Sequence, residues 1–183
     1  DQNIISRKNL FKKYLSCDLG GQLDIFAFSK YVDWNTGSLG HSIGVATGLA
    51  IANPKKKIWT LVGDAEIDEG SVWEALFFIS EKKIKNINII IDRNKISASS
   101  RSEKKEIFDK NFFEKFDLNI KFINGHKLKE ITKTFLQTKN TKKSNIIVAD
   151  TIKGKGFKEF ENSLKYSHEL PDLETLKKIY NRE

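Results

Sequence analysis

Three observations predict an α/β fold with a mainly parallel sheet flanked by helices. Short apolar runs rich in β-branched residues alternate along the chain with segments of helical period. Two of these runs, at 58–62 and 87–91, are too far apart for a tight hairpin, and a helical pattern fills the interval between them. Both end in turn-forming or polar residues, Gly63-Asp64 and Asp92-Arg93-Asn94. The sequence therefore predicts a right-handed βαβ unit with parallel strands.

The helix of this unit is predicted from apolar residues that recur at helical spacing, namely Val72, Ala75, Leu76 and Ile79. Before the unit, helical patterns are predicted at 6–15 and at 40–52, and Pro54 ends the second. Gly44 and Gly48 lie one turn apart on that second helix. They form a small-residue face that would allow another element to approach closely.

Strands and helices continue to alternate after the unit. A polar loop is predicted at 97–105, followed by a helix at 108–116 that packs its phenylalanines inward. The remaining predicted elements are a strand at 120–123, a helix marked by Leu128, Ile131 and Phe135, a strand at 146–148, and a terminal helix marked by Leu173, Leu176 and Tyr180.

Length and composition narrow the class of protein. The 183 residues are enough for one domain with a proper core, so we expect a single domain over 1–183. No apolar run is long enough to span a bilayer, and no apolar signal-peptide stretch stands at the start. The single cysteine, Cys17, cannot form an internal disulfide, which favours a cytoplasmic location. Because the sequence has no methionine, we expect some natural N-terminal residues to precede Asp1.

The net charge of +8 raises the question of a polyanionic partner. The lysine-rich segments are scattered among turns and acidic residues, and no aromatic side chains alternate with basic ones to make a base-stacking surface. We therefore expect neither a nucleic acid nor a membrane as a partner.

Asp64 and Asn94 each come just after a strand of the predicted βαβ unit. Open α/β sheets bind ligands beyond the carboxyl ends of their strands. The carboxylate of Asp64 and the amide carbonyl of Asn94 are hard oxygen donors suited to Mg²⁺, which usually takes further ligands from phosphates and water. The alternative is structural, because Asp and Asn at strand ends are also common turn formers and helix caps.

Three segments of the chain, in order, resemble motifs of one enzyme family. The first is Thr36-Gly37-Ser38-Leu39-Gly40-His41, and the last combines Lys153-Gly154-Lys155-Gly156 with Glu161-Asn162 and His168. Between them stand Gly63-Asp64-Ala65, Glu69-Gly70, Trp73-Glu74-Ala75 and Asp92-Arg93-Asn94-Lys95. Together these segments resemble the thiamine diphosphate motifs of transketolases, from about Leu19 to Pro171.

The resemblance implies a thiamine diphosphate-binding fold of the diphosphate-binding (PP-domain) type. Mg²⁺ would be held by Asp64, Asn94 and the backbone carbonyl of Ile96. Backbone N–H groups of the turn from Gly63 through Asp64 and Ala65 to Glu66 would face the diphosphate, because the turn leads into a helix.

Further roles follow from the same resemblance. The backbones of Gly37 and Leu39 would contact the aminopyrimidine ring, and His168 would reach the diphosphate and the substrate. Glu69 would belong to an acidic relay that links two cofactor sites across a dimer interface. The alternative for Glu69 is favourable placement at the positive end of a helix dipole. For His41 and His126 we expect structural roles.

The chain also departs from the family pattern. Ala65 stands where the family usually has glycine, and it fits if its φ is negative. Gln22 in Gly20-Gly21-Gln22-Leu23 occupies the place of a histidine that recognises the donor sugar. A family segment with a further histidine, expected upstream of Leu19, is missing from the sequence. These departures bear on sugar specificity.

The resemblance implies the N-terminal, diphosphate-binding subunit of a split transketolase. The activating glutamate of the family belongs to a second, pyrimidine-binding domain, so we expect a C-terminal partner subunit, a hetero-oligomer such as a heterotetramer, and sugar or sugar phosphate substrates. Two alternatives stay open. One is another thiamine diphosphate enzyme, such as a deoxyxylulose phosphate synthase or a dehydrogenase first component. The other is a non-catalytic cofactor-binding subunit.

Overall fold

The helices and strands of the computed structural model follow the alternation seen in the sequence. The structure describes residues 6, 8–9, 32–97, 100–101, 110–167, 169 and 171–180. Its elements are α1 His41–Ala52, β1 Ile58–Gly63, α2 Gly70–Glu81, β2 Ile87–Arg93, α3 Lys110–Glu114, β3 Asn119–Asn124, α4 Leu128–Thr138, β4 Asn145–Asp150 and α5 Leu173–Tyr180. Two short 3₁₀ helices cover Asp64–Asp68 and Lys165–Ser167.

The four strands of the described residues form one parallel sheet in the order β1-β2-β4-β3. In its register Gly63 lies opposite Asp92, Arg93 lies opposite Asp150, and Asn124 also lies opposite Asp150. Parallel pairing brings all four carboxyl ends to one edge of the sheet. The predicted fold class, a parallel sheet flanked by helices, is confirmed.

Helices pack on both faces of the sheet, to which successive side chains of a strand point in turn. Trp59 and Leu61 of β1 nevertheless stay exposed. On one face Ile89 and Ile91 of β2 pack with Leu76 of α2 in a core that also includes residues of α1 and α3. On the other face Ile147 packs with Ile131 and other residues of α4 and the strands. Strands buried on both faces explain the nearly continuous apolar runs of β2 and β4.

Several predicted boundaries shift in the structure. β2 continues to Arg93 rather than ending at Ile91, because its pairing with β4 extends to Arg93 opposite Asp150. The acidic turn does not enter α2 directly, since the 3₁₀ helix Asp64–Asp68 comes first and α2 begins at Gly70. Most of the predicted helix at 6–15, and Phe108 of the aromatic helix, lie outside the described residues.

The remaining aromatic side chains of that helix divide between core and surface. Phe113 and Phe116 are buried, whereas Phe112 is partly exposed. Gly44 and Gly48 are exposed, and a methyl group built on either meets no other atom within 4 Å in the described part of the chain. No helix in the described ranges combines the length and apolar character needed to cross a membrane.

Candidate functional site

The sequence-predicted ligand residues meet at the carboxyl edge of the sheet. Asp64 is the first residue after β1, and Asn94 is the first after β2, the neighbouring strand. This edge is where open α/β sheets bind ligands. The elements that carry the two side chains are therefore adjacent, as the βαβ pattern predicts.

Asp64 is tied to the turn after β2 by a backbone contact. Its side chain is buried, with 2% of the residue exposed. Its Oδ2 accepts a hydrogen bond of 2.7 Å from the backbone N–H of Lys95. Lys95 has a positive φ of 63°, which turns the chain sharply and aims this N–H at Asp64. This hydrogen bond ties the Asp64 side chain to the turn that carries Asn94, just beyond the last paired residues, Gly63 and Asp92.

Asn94 forms an Asx-type turn with the residue two positions on. Its Oδ1 accepts a hydrogen bond of 2.9 Å from the N–H of Ile96. A carbonyl oxygen has two lone pairs, so this bond leaves a second one for a ligand. Ile96 itself is buried, with 5% exposed. The turn that carries Asn94 and Ile96 is therefore ordered by its own side chain.

These groups fit a magnesium ion that shares its coordination with a phosphate. The donors are one carboxylate, one amide oxygen and one backbone carbonyl, all of them hard oxygen ligands. Among the residues that the structure describes, no group of three or more His, Cys, Asp or Glu is arranged to hold a metal ion. A site of this composition needs oxygen ligands from phosphate or water to complete the coordination of Mg²⁺.

Glu66 joins the loop before α1 to the end of β1. Its Oε1 accepts from the N–H of Gly63 at 2.9 Å, and its Oε2 accepts from the N–H of Gly40 at 2.8 Å. The same carboxylate therefore satisfies two backbone donors from segments that are distant in sequence. This contact brings the 36–40 loop to the edge of the sheet that carries Asp64.

Gly40 packs tightly against the start of α2. It is buried and has a φ of +74°. A Cβ atom there would lie 2.8 Å from Ser71 Oγ and 2.9 Å from both Glu69 Cβ and Val72 Cγ2. Only glycine satisfies both constraints without strain. This close approach sets the position of the predicted cofactor-binding loop.

The other predicted residues of this loop and turn lie near the surface. Gly37 is half-buried, and Leu39 is 50% exposed. Ser38 donates its N–H to Thr36 Oγ1 at 3.0 Å, which stabilises the loop locally. Ala65 lies in the 3₁₀ helix and is not among the residues of positive φ. Alanine is therefore accommodated without backbone strain where the family usually has glycine.

Glu69 and His168 are the two residues predicted to act on the reaction. Glu69 is exposed at the N-cap of α2, and its side chain makes no capping hydrogen bond there. That position leaves its carboxylate at the surface of the chain. His168 lies outside the described residues, as do Gln22 and Cys17.

The Lys153–Gly156 segment forms a tight loop after β4. Gly154 has a φ of +77°, and a Cβ there would lie 2.4 Å from the carbonyl oxygen of Phe160. Glu161 closes the loop with an ion pair of 3.2 Å to Lys155 and a contact of 3.4 Å from the N–H of Gly156. The hydrogen bond from Gly156, followed by that from Lys155, holds the pKa of Glu161 below its usual value. These contacts of the loop therefore favour the ionised carboxylate, and the N–H of Asn162 also closes the loop by donating to the carbonyl oxygen of Lys153 at 2.9 Å.

His126 has a structural contact at the same edge. Its Nε2 accepts a hydrogen bond of 2.7 Å from the N–H of Ile152, which leads into the loop at 153–156. The backbone N–H of His126 donates to Asn124 Oδ1 at 2.9 Å. These bonds agree with the structural role expected for His126. His41 is exposed at the first position of α1.

Sequence reasoning missed a polar network between the ends of β2 and β4. Arg93 and Asp150 form a two-pronged ion pair, and Thr151 donates its hydroxyl to Asp92. Thr151 also donates its N–H to the carbonyl oxygen of Arg93 at 3.2 Å. The available signal was the opposite charge of Arg93 and Asp150. It becomes informative only when β2 and β4 are known to be neighbours.

The fold and the oxygen donors define an α/β domain with hard oxygen groups at the carboxyl edge of a parallel sheet, the edge at which such sheets generally bind ligands. The family model described as "Transketolase, thiamine diphosphate binding domain" matches residues 13–174. The chain belongs to this family, and the resemblance predicted from its motifs is confirmed. An apulose-4-phosphate transketolase subunit of Actinobacillus succinogenes is 33% identical over 147 residues, which is 76% of this chain and 53% of that protein.

A second relative and a solved structure to which the chain is similar are also transketolases by name. The protein of the same name from Phocaeicola vulgatus is 32% identical over 150 residues, 78% of this chain and 53% of that protein. The chain spans about half the length of these curated relatives. The crystal structure of transketolase from Campylobacter jejuni superposes with a TM-score of 0.72 at 32% identity, covering 82% of this chain and 26% of that one.

Proposed function

We propose that this chain is one subunit of a transketolase-like enzyme that binds Mg²⁺ and the diphosphate of thiamine diphosphate. With a partner chain it would transfer a two-carbon ketol unit between sugars or sugar phosphates. The observation that carries the proposal is the junction of Asp64 with the Asn94 turn through the Lys95 N–H. The relatives named as subunits of apulose-4-phosphate transketolases support the same class of reaction.

In this proposal Asp64, Asn94 and the carbonyl of Ile96 hold the metal ion. Asp64, Ala65 and Glu66, at the start of the 3₁₀ helix, would lie against the diphosphate through their backbone N–H groups. The N–H of Gly63, expected from the sequence to face the diphosphate as well, donates instead to Glu66 Oε1. A buried carboxylate is costly unless hydrogen bonds or a cation compensate it, and Asp64 accepts a hydrogen bond from the Lys95 N–H. A divalent cation beside this carboxylate would offset more of the free-energy cost of burying its negative charge.

Gly37, Leu39 and His168 complete the proposed contacts with cofactor and substrate. Glu66 fixes the loop that carries Gly37 and Leu39 to the end of β1. When bound, thiamine diphosphate supplies an electron sink that stabilises a carbanion. The residues of this chain would bind and orient the cofactor, and the partner would supply the pyrimidine-binding half of the site.

The first experiment tests cofactor binding. Thiamine diphosphate is titrated into the full chain, with and without its partner, in the presence and absence of MgCl₂. Asp64→Ala should abolish the Mg²⁺-dependent binding, whereas Asp68→Asn should leave it unchanged, because Asp68 is an exposed acidic residue of the same short helix. At 100 times its dissociation constant the ligand should stabilise the unsubstituted protein by about 2.7 kcal/mol. Equal binding by the Asp64 variant would remove this residue from the site.

The second experiment tests the need for a partner. The chain is expressed alone and together with a candidate pyrimidine-binding subunit, and ketol transfer is assayed with a panel of sugar phosphates. We expect activity only from the pair. Full activity of the isolated chain would contradict the two-subunit proposal.

The exposed carboxylate of Glu69 fits a role at a contact between two copies of this chain. In that arrangement the active assembly is a heterotetramer, and Glu69→Gln reduces activity without weakening cofactor binding to the chain. Light scattering of the co-purified pair measures the stoichiometry. An active one-to-one heterodimer would rule out a relay through Glu69.

A further inference from the structure

We propose that Asp92 is a positioning residue that fixes which end of the Asn94 amide faces the metal ion. The inference rests on the proposed function, because it assigns a role toward the Mg²⁺ that Asp64 and Asn94 would hold. Asp92 is the next-to-last residue of β2 and stands two residues before Asn94. It lies within the motif that contains Asn94, but neither the motif nor the family resemblance assigns it a role.

Within the described part of the chain the Asp92 carboxylate has two partners, one on each oxygen. Its Oδ2 accepts from the side-chain amide Nδ2 of Asn94 at 3.3 Å, and its Oδ1 accepts from the hydroxyl of Thr151. Thr151 is the first residue after β4 and is held by its own N–H to the carbonyl oxygen of Arg93. The carboxylate is therefore anchored from a second strand before it meets Asn94.

The orientation of the Asn94 amide decides whether it can bind a cation. The oxygen and nitrogen ends of an asparagine amide are nearly equal in shape, but only the oxygen can donate a lone pair to a metal ion. Asp92 is an acceptor, so it favours the Nδ2 end of the amide, and without it the N–H of Ile96 is left to hold the orientation. The Oδ1 end is then directed toward the turn, where it accepts the N–H of Ile96 at 2.9 Å.

In this arrangement Asp92 would hold a metal ligand in place by a hydrogen bond without touching the metal ion itself. Ligands are commonly held in place by hydrogen bonds from residues that do not touch the metal, and loss of such a residue typically weakens metal affinity about 10- to 100-fold. We expect Asp92→Ala to weaken Mg²⁺-dependent binding of thiamine diphosphate within that range. Thr151→Val, which removes only the hydroxyl that holds Asp92, should weaken it less.

A second substitution separates positioning from a general structural role. In Asn94→Asp both ends of the side chain are oxygens, so no residue is needed to select one of them. The double variant Asp92→Ala with Asn94→Asp also keeps the net charge of the natural site. We expect the affinity of this double variant for Mg²⁺ and thiamine diphosphate to lie within a few-fold of that of the unsubstituted chain. The affinity of Asp92→Ala alone should be lower.

The affinities are measured by calorimetric titration of thiamine diphosphate at fixed MgCl₂ and of MgCl₂ at fixed thiamine diphosphate. Thermal melts establish that each variant is folded. Should Asp92→Ala not fold, Thr151→Val is compared with and without the Asn94→Asp substitution. We expect Thr151→Val to lower the affinity in the chain that keeps Asn94. In the chain that carries Asn94→Asp, adding Thr151→Val should cause no further loss.

The outcomes distinguish the inference from the function on which it rests. Unchanged affinity in Asp92→Ala, while the unsubstituted chain binds, would overturn the positioning role and leave the proposed function intact. An equal loss of affinity with and without Asn94→Asp would also overturn it. Failure of the unsubstituted chain to bind, with or without its partner, would overturn the proposed function and the inference together.

Discussion

Arg93 and Asp150 occupy the same register position on adjacent parallel strands, and their side chains form a two-pronged ion pair with N–O distances of 2.5 and 2.7 Å. The pair joins the strand that leads into the Asn94 turn to the strand that leads into the 153–156 loop. The side chain of Arg93 is 22% exposed and that of Asp150 is 45% exposed. The arginine side of the contact is therefore largely shielded from water, whereas the carboxylate is about half exposed.

The geometry of this pair predicts that arginine cannot be replaced by lysine without loss. Lysine carries a single ammonium group and cannot form two parallel hydrogen bonds to one carboxylate. We expect Arg93→Lys to reduce the free energy of unfolding by about 1 kcal/mol, since the pair is only partly buried. Urea denaturation at low and high salt measures this loss.

A double-mutant cycle with Asp150→Asn tests whether the loss belongs to the pair. The coupling free energy between Arg93→Lys and Asp150→Asn should be on the order of 1 kcal/mol and should fall as salt is added. Additive effects of the two substitutions would show that Arg93 gains nothing over lysine from its contact with Asp150.

The free energy of unfolding is predicted to depend more on the charge of Glu66 than on that of Glu69, although both are glutamates at the same turn. Its two carboxylate oxygens each accept a backbone N–H, whereas glutamine has one acceptor oxygen. Glu66→Gln should therefore leave one backbone donor unsatisfied and cost about 1–3 kcal/mol. Glu69 is exposed, so Glu69→Gln is the matched control and should change the free energy of unfolding by less than about 0.5 kcal/mol. Equal losses in the two variants would contradict the bridging role of Glu66.

Gly40 and Gly44 give a matched pair for testing how the loop before α1 is held. Gly40→Ala places a Cβ within 2.9 Å of α2 at a φ of +74°, so we expect a loss of about 1–3 kcal/mol. Gly44 lies within α1 with open space around it, and Gly44→Ala should stabilise the protein by about 0.5–1 kcal/mol through helix propensity. Both are measured by chemical denaturation. A neutral Gly40→Ala would show that the loop can move away from α2.

Local patterns were enough to predict the fold class but not the arrangement of the strands. The βαβ unit followed from two apolar runs and the helical period between them, and the pairing of β1 with β2 agrees with it. Alternation of strands and helices carries no information on which strands become neighbours. The insertion of β4 between β2 and β3 was therefore not predicted, nor was the extension of β2 to Arg93 that depends on it.

The candidate site shows the same division between local and distant information. Asp64 and Asn94 were predicted because their chemistry and position can be read along one βαβ unit. The contact of Glu66 with Gly40 spans 26 residues and depends on the packing of α1 against α2. The contact of Asp92 with Thr151 spans 59 residues and depends on the strand order. Neither pairing leaves a pattern in the sequence.

The loop at 153–161 is predicted to loosen in acid through Glu161. Hydrogen bonds from the Gly156 N–H and from Lys155 favour the ionised carboxylate and hold the pKa of Glu161 below its ordinary value. A group whose pKa is lower in the folded state contributes stability above the unfolded pKa, and the contribution is lost as the pH falls through the folded pKa. The loop should therefore keep its closing contacts at neutral pH and lose them only below the ordinary range of a glutamate.

A pH titration followed by NMR tests this expectation at two sites, the carboxyl carbon of Glu161 and the backbone amide of Gly156. Both signals should report the same lowered pKa, because protonation of the carboxylate removes the acceptor of the amide. Lys155→Met should raise the pKa of Glu161 only part of the way to its ordinary value, since the hydrogen bond from Gly156, the largest single cause, remains. Lys158→Met should leave that pKa unchanged, because Lys158 is exposed and is not among the groups that lower it. An ordinary glutamate pKa in the unsubstituted protein would show that Glu161 does not close the loop in solution.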